Sequence, residues 1–201
     1  VLRYQTDHAY WWVQEGYEVD AGDLQRSAEA FEQNTYPTNQ RVFGSEWSPG
    51  IDGDPHVYIF LGKVPGVGGL FSGPDEYPAA VRQGSNEHEM FYINLDNALP
   101  GNAYFDGILA HEFQHMIHWN QDRDEVTWIN EAMSELAAQV NGYDIGGSDI
   151  AFTQEPDTQL TTWSELDASG PHYGASYLFG AYVLDQYGAE AISQSVAGQD
   201  N

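Results

Sequence analysis

The chain has 201 residues, 41% of them hydrophobic, which suits one domain with a substantial buried core. Thirty-one acidic residues against six basic ones give a formal charge of -25, which speaks against nucleic acid and anionic membranes as partners, because phosphate contacts need basic side chains. No apolar run approaches the roughly 20 residues of a membrane span, and the lack of cysteine excludes disulfides and thiolate ligands, so any metal site must use histidine and carboxylate.

Residues 1–19 collect Tyr4, Tyr10, Trp11, Trp12 and Tyr17, a cluster that reads as core packing or a docked terminal segment. Asp23 reads as an N-cap, followed by Leu24, Ala28 and Phe31 at helical spacing, which predicts a helix from about 20 to 34 ending near Tyr36-Pro37. Residues 41–50 read as extended and turn-rich, and 51–55 as a tight turn. Asp52 and Asp54 suit the turn, with Ca2+ binding as their alternative role. His56 to Val64 alternates and is rich in β-branched and aromatic residues, so it reads as a strand. The glycine-rich stretch 66–73 has no following Lys-Ser/Thr and opens no helix, so it is no phosphate loop. It reads instead as a flexible edge strand along a cleft. Glu89 to Leu95 is a further strand, and Pro100-Gly101 breaks the chain.

A helix follows from about 104 to 121, with Phe105, Ile108, Leu109, Phe113, Met116 and Ile117 on an apolar face of 3.6-residue period. It carries His111, Glu112 and His115 in the order His-Glu-x-x-His. Two histidines four apart on a helix point the same way and can reach one metal ion. The glutamate between them can take a proton from a metal-bound water, the arrangement of zinc hydrolases. Polar groups in so apolar a helix need a partner, and a metal supplies one. After a polar break at 120–125, a second helix is expected from about Thr127 to Asn141. Residues 142–171 read as irregular. A last long helix is expected from about Tyr173 to Tyr187, with Leu178, Phe179, Tyr182 and Val183 packing inward, then a short one over 189–196. There is no internal repeat.

Catalytic zinc takes three protein ligands and keeps a position for water. The metzincin pattern would place a glycine and a third histidine at 118 and 121, which here are His118 and Gln121, so that pattern fails. His118 projects roughly 60° short of a full turn from His115 and reads as a flank residue. The next helix reads Thr-Trp-Ile-Asn-Glu-Ala-Met-Ser-Glu over 127–135, and Tyr-Gly-Ala-Ser-Tyr-Leu-Phe follows at 173–179. With His-Glu-Phe-Gln-His-Met-Ile at 111–117, these segments resemble gluzincin-type zinc metallopeptidases, with a thermolysin-like site and the hyicolysin family as the nearest likeness. The resemblance spans about residues 104–188.

It implies zinc bound by His111, His115 and Glu131, with Glu112 as general base. It further implies that Glu135 fixes the tautomer of a ligand histidine and that Asn130 supports the ligands. The family uses aspartate where Glu135 stands. An oxyanion donor is expected at Tyr173 or His172, with Tyr177 a turn further on. An extended peptide would pair with an edge strand near Gly69 to Ser72. His8, His56 and His88 have no partner pattern and read as surface or turn residues. The expected fold is α+β and zincin-like, one catalytic domain with an α/β lobe over 1–121 and a helical lobe over 122–201. The expected protein is a secreted, monomeric zinc endopeptidase acting on peptides or proteins. Val1, lacking a signal pattern, reads as the start of a processed or trimmed chain. The alternatives are an aminopeptidase of the same clan and a non-catalytic zinc-stabilised module of a larger surface protein.

Overall fold

A computed structural model describes residues 1–144, 146–163 and 169–198, so part of the segment expected to be irregular lies outside the described residues. Strands β1 (Leu2–Gln5), β2 (Ala9–Val13), β3 (Val57–Gly62), β4 (Gly69–Phe71) and β5 (Met90–Asn94) form one sheet in the order β1-β2-β3-β5-β4. β2, β3 and β5 run parallel, and the outer strands β1 and β4 pair antiparallel, so the sheet is mixed. Side chains alternate along each strand. Ala9, Trp11, Val13, Val57, Ile59, Leu61, Phe91 and Ile93 are buried on the inner face. Tyr10, Trp12, Tyr58, Phe60 and Tyr92 occupy the other, less buried face. The aromatic N-terminal cluster is thus a strand pair. Its alternation is hard to see in the sequence because large aromatic rings stand on both faces.

The first helical region is longer than its sequence suggests. α1 (Ala21–Ala30) is capped by Asp20, whose carboxylate accepts from the Asp23 backbone N–H, so the cap lies three residues before the expected one. A π-turn over Phe31–Thr35 leads into α2 (Tyr36–Phe43), and Pro37 opens this helix instead of ending the previous one. Proline is tolerated in a first helical turn, where its missing N–H leaves no bond unmade. The π-turn shifts the backbone pairing by one residue just before it: the Tyr36 N–H donates to the Phe31 carbonyl. The extended reading therefore fails at 41–43.

α3 (Ala103–Gln121) is capped by Asn102, which accepts from the Phe105 N–H at 3.0 Å. It is followed by α4 (Thr127–Val140), α5 (Ser148–Gln154), α6 (Gly170–Tyr187) and α7 (Ala189–Val196). α5 falls where irregular chain was expected. The face of α6 also differs from expectation: Leu178, Phe179 and Tyr182 are exposed, while Pro171, Gly174, Ala175, Ser176 and Gly180 are buried. Apolar periodicity pointed to the large side chains, but close approach of α4 and α5 selects the small ones. A Cβ on Gly174 would stand 2.1 Å from the Ser148 carbonyl oxygen.

One apolar core runs from Ala9 on β2 to Val196 on α7, with α3 at its centre. Among the described residues, no helix is long and apolar enough to cross a membrane. Phe113 is fully buried in this core, stacked on Tyr36 at 5.3 Å and edge-on to Phe31 at 5.3 Å. Phe113→Ala is expected to destabilise the fold by about 3–5 kcal/mol, by loss of contacts and the void left behind. Urea unfolding with an unchanged m-value would check it.

Candidate metal centre

α3 and α4 bring three ligand atoms together. His111 Nε2 and His115 Nε2 lie 3.0 Å apart, and Glu131 Oε2 lies 3.4 Å from the first and 3.6 Å from the second. The one-turn spacing on α3 aligns the two rings, and α4 supplies the carboxylate from the facing helix. Four ligands at tetrahedral angles and ~2.05 Å from an ion are separated by roughly 3.3 Å, so this triangle suits a small divalent cation. Glu131 Oε2 is buried and makes no hydrogen bond. Among the described residues this is the one group of three histidine or acidic side chains whose ligand atoms converge so closely. His111, His115 and Glu131 could therefore hold a metal ion.

The far nitrogens of both rings are held. His115 Nδ1 lies 2.9 Å from Ser134 Oγ, and Ser134 donates in turn to Gln114 Oε1 at 2.5 Å. A hydroxyl that donates to the amide can only accept from the ring. Nδ1 therefore carries the proton and Nε2 presents its lone pair. His111 Nδ1 faces Glu135 Oε1 at 3.4 Å, and Glu135 Oε2 accepts from Ser148 Oγ at 3.0 Å. Sequence reasoning missed Ser134 and Gln114. The available signal was a hydroxyl inside the apolar stripe Ala132, Met133, Leu136, Ala137.

Electrostatics agree with this grouping. Burial lowers the His111 pKa, but Glu131 and Glu135 outweigh it and hold the ring well above its ordinary 6.5. Burial raises the Glu131 pKa, yet His115 and His111 more than compensate and hold that carboxyl well below the usual range. Glu112 is shifted the other way: burial raises it, and the two histidines only partly offset this. Edge strand β4 lies directly against Glu112. A Cβ on Gly69 would stand 2.5 Å from Glu112 Oε1 and 2.7 Å from Ile108 Cγ2, so only glycine allows the strand to approach α3 this closely.

Two cavities meet at the centre and share Val67, Gly69, His111, Glu112 and Tyr173 in their walls. One, of about 470 Å³, extends past Phe71, Trp119, Arg123 and Asn130. The other, of about 520 Å³, extends past Tyr104, Ile108, Ala138 and Ala151. Together they form a cleft running along β4 on both sides of His111 and Glu112.

The remaining candidates separate clearly. Tyr173, in the first turn of α6, lines both cavities, and its pKa is raised by burial and then by Glu131, Glu135 and Glu112. His172 lines neither cavity and lies against Trp163, with ring centroids 5.8 Å apart. Tyr177 lines neither. Asn130 lines the first cavity, and its carbonyl oxygen lies 3.1 Å from Ser134 Oγ. His118 is fully buried on α3, outside the ligand group, where burial and His115 push its pKa down to about 4.

Outside the centre, His8, His56 and His88 each stack on a tyrosine and face a carboxylate. Asp54 accepts from the His56 backbone and from Tyr10, while Asp52 accepts from the Asp54 backbone and contacts His88. The turn explains these aspartates. No family model matches the chain, and no curated protein is significantly similar to it.

Because a proton on the raised His111 competes with the ion, metal affinity is expected to weaken as pH falls, beginning above pH 6.5. Below the His111 pKa the slope should be about tenfold per pH unit. Chelator competition at several pH values, with proton release measured by calorimetry, reads this directly. Ser134→Ala should weaken metal binding by about 10–100-fold while leaving the ligands in place.

Proposed function

We propose that this chain is a zinc-dependent endopeptidase of the gluzincin type, similar to the hyicolysin family. The observation that carries the proposal is the convergence of His111 Nε2, His115 Nε2 and Glu131 Oε2 at the floor of a cleft beside a buried Glu112. Two nitrogens and one carboxylate oxygen without any thiolate form a donor set of catalytic zinc sites, and the 3.0–3.6 Å separations match its short bonds. The α+β architecture with a mixed sheet is compatible with a zincin-like fold. A cleft extending to both sides of the centre supports internal cleavage of a chain over removal of a terminal residue.

When bound, zinc supplies a Lewis acid that acidifies water and polarises a peptide carbonyl. The residues of the chain divide the remaining work. The raised pKa of Glu112 makes it a better proton acceptor than an exposed carboxylate, so it can take the proton of the attacking water. The same carboxyl then delivers that proton to the departing amine. The Tyr173 hydroxyl, kept protonated by burial and by its acidic neighbours, is a hydrogen-bond donor at the cleft wall for the developing oxyanion. Ser134 and Glu135 keep the two imidazoles in the ligating orientation. β4 offers its open edge to an extended peptide, which would add to the sheet by backbone pairing. An extracellular setting belongs to this proposal through the family likeness.

Glu112→Gln is expected to bind zinc as the wild type does and to lose peptide hydrolysis by three orders of magnitude or more. Glu131→Ala should lose the ion itself. Metal content by mass spectrometry, paired with hydrolysis of an internally quenched peptide library, separates the two variants. Full activity in Glu112→Gln would refute the mechanism.

A further inference from the structure

The two halves of the cleft differ in charge. Arg123, just beyond α3, is the one arginine or lysine in the walls of either cavity among the described residues. It is exposed, so its guanidinium is reachable from the cleft. Its plane-bearing end is also held in place: Cζ lies 5.4 Å from the ring centre of Trp119 and 5.7 Å from that of Tyr77, and Nη1 donates to the Tyr77 hydroxyl at 3.3 Å. Contacts of this kind fix an arginine without neutralising it.

No carboxylate forms an ion pair with Arg123 within 4.0 Å among the described residues, even though the chain holds 31 acidic residues and only six basic ones. Asp122 shares the same wall, and its Oδ1 accepts from the Asp124 backbone N–H. Buried Glu76, which feels the charge of Arg123, is pushed up to about 8 by burial and by Glu89, so it carries a proton near neutral pH. The opposite half of the cleft contains Glu135 and Asp144 and no base.

We propose that Arg123 is a specificity-determining residue that binds a carboxylate of the peptide substrate, on the side of the metal centre lined by Phe71, Trp119 and Asn130. This rests on the peptidase reading above. An arginine meets a carboxylate through two parallel N–H···O bonds, which a neutral amide of the same shape cannot accept equally well. In so acidic a molecule Arg123 is also the one arginine or lysine among the described residues of the cleft walls that can attract a negative group away from the metal centre. The carboxylate is either an acidic side chain near the scissile bond or the C-terminus of a short substrate.

The test uses one neutral peptide sequence varied in two ways. Glu or Gln is placed at each position flanking the cleavage site, and each peptide is made with a free or an amidated C-terminus. Values of kcat/KM are measured for the wild type, Arg123→Gln and Arg123→Lys. Binding of the same peptides to zinc-loaded Glu112→Gln, with and without Arg123→Gln, is followed by calorimetry. The wild type should favour one carboxylate form over its neutral counterpart by roughly tenfold. Arg123→Gln should bring that ratio to about one, and Arg123→Lys should retain part of it. A preference confined to Glu peptides assigns a side-chain carboxylate, and one confined to free C-termini assigns the chain end. Carboxylate ratios equal in wild type and Arg123→Gln, in kinetics and binding alike, would overturn the proposal while leaving the peptidase intact. Arg123-dependent binding preference without any cleavage would refute the peptidase reading and keep the carboxylate subsite. Absence of both binding and cleavage would refute both.

Discussion

Three ligand atoms, two imidazole nitrogens and a carboxylate oxygen, sit within 3.6 Å of one another in a largely buried pocket. Lone pairs of two imidazoles and a carboxylate repel at that distance unless a cation lies among them. The surrounding structure is arranged to hold them there. The helical period of α3 sets the two rings one turn apart. The apolar stripe of that helix, from Phe105 to Ile117, anchors it under the sheet. α4 packs against α3 and brings Glu131 across. Each of these contacts is ordinary core packing, and together they impose an electrostatic frustration that a bound ion relieves.

The same frustration explains how protons are distributed around the centre. An ion held by His111, His115 and Glu131 would supply the positive charge that these three groups share. Glu131 and Glu135 shift the His111 ring upward, while burial shifts His118, further along α3 and outside the group, down. Glu112 stays apart from this grouping, because burial beneath β4 keeps its carboxyl basic. Groups of one chemical type thus take different roles through their surroundings alone.

Legibility in the sequence followed physical range. The period of α3, its two aligned histidines and the following α4 could be read locally, and the structure brings His111, His115 and Glu131 together. Glycine-rich β4 was recognisable as a strand at the sheet edge beside a cleft. Its contact with Glu112 was not, because that depends on a neighbour forty residues away. Pro37 misled as a terminator, since a π-turn can shift the pairing frame ahead of it. The inward face of α6 was misread because apolar periodicity weighs bulk, whereas helices in close contact demand small residues. Ser134 meets Gln114 and His115 from about twenty residues away, so no local pattern marks it.

Ser148 links two walls of the cleft. Its hydroxyl holds Glu135, which faces His111, and its carbonyl abuts Gly174, the residue after Tyr173. The His111 and Tyr173 walls are therefore both positioned by one residue at the start of α5. The two walls are thus tied to each other through Ser148 as well as through the side chains that face each other across the cleft. Residues lining the two cavities can then vary while Ser148 keeps the His111 and Tyr173 walls in register.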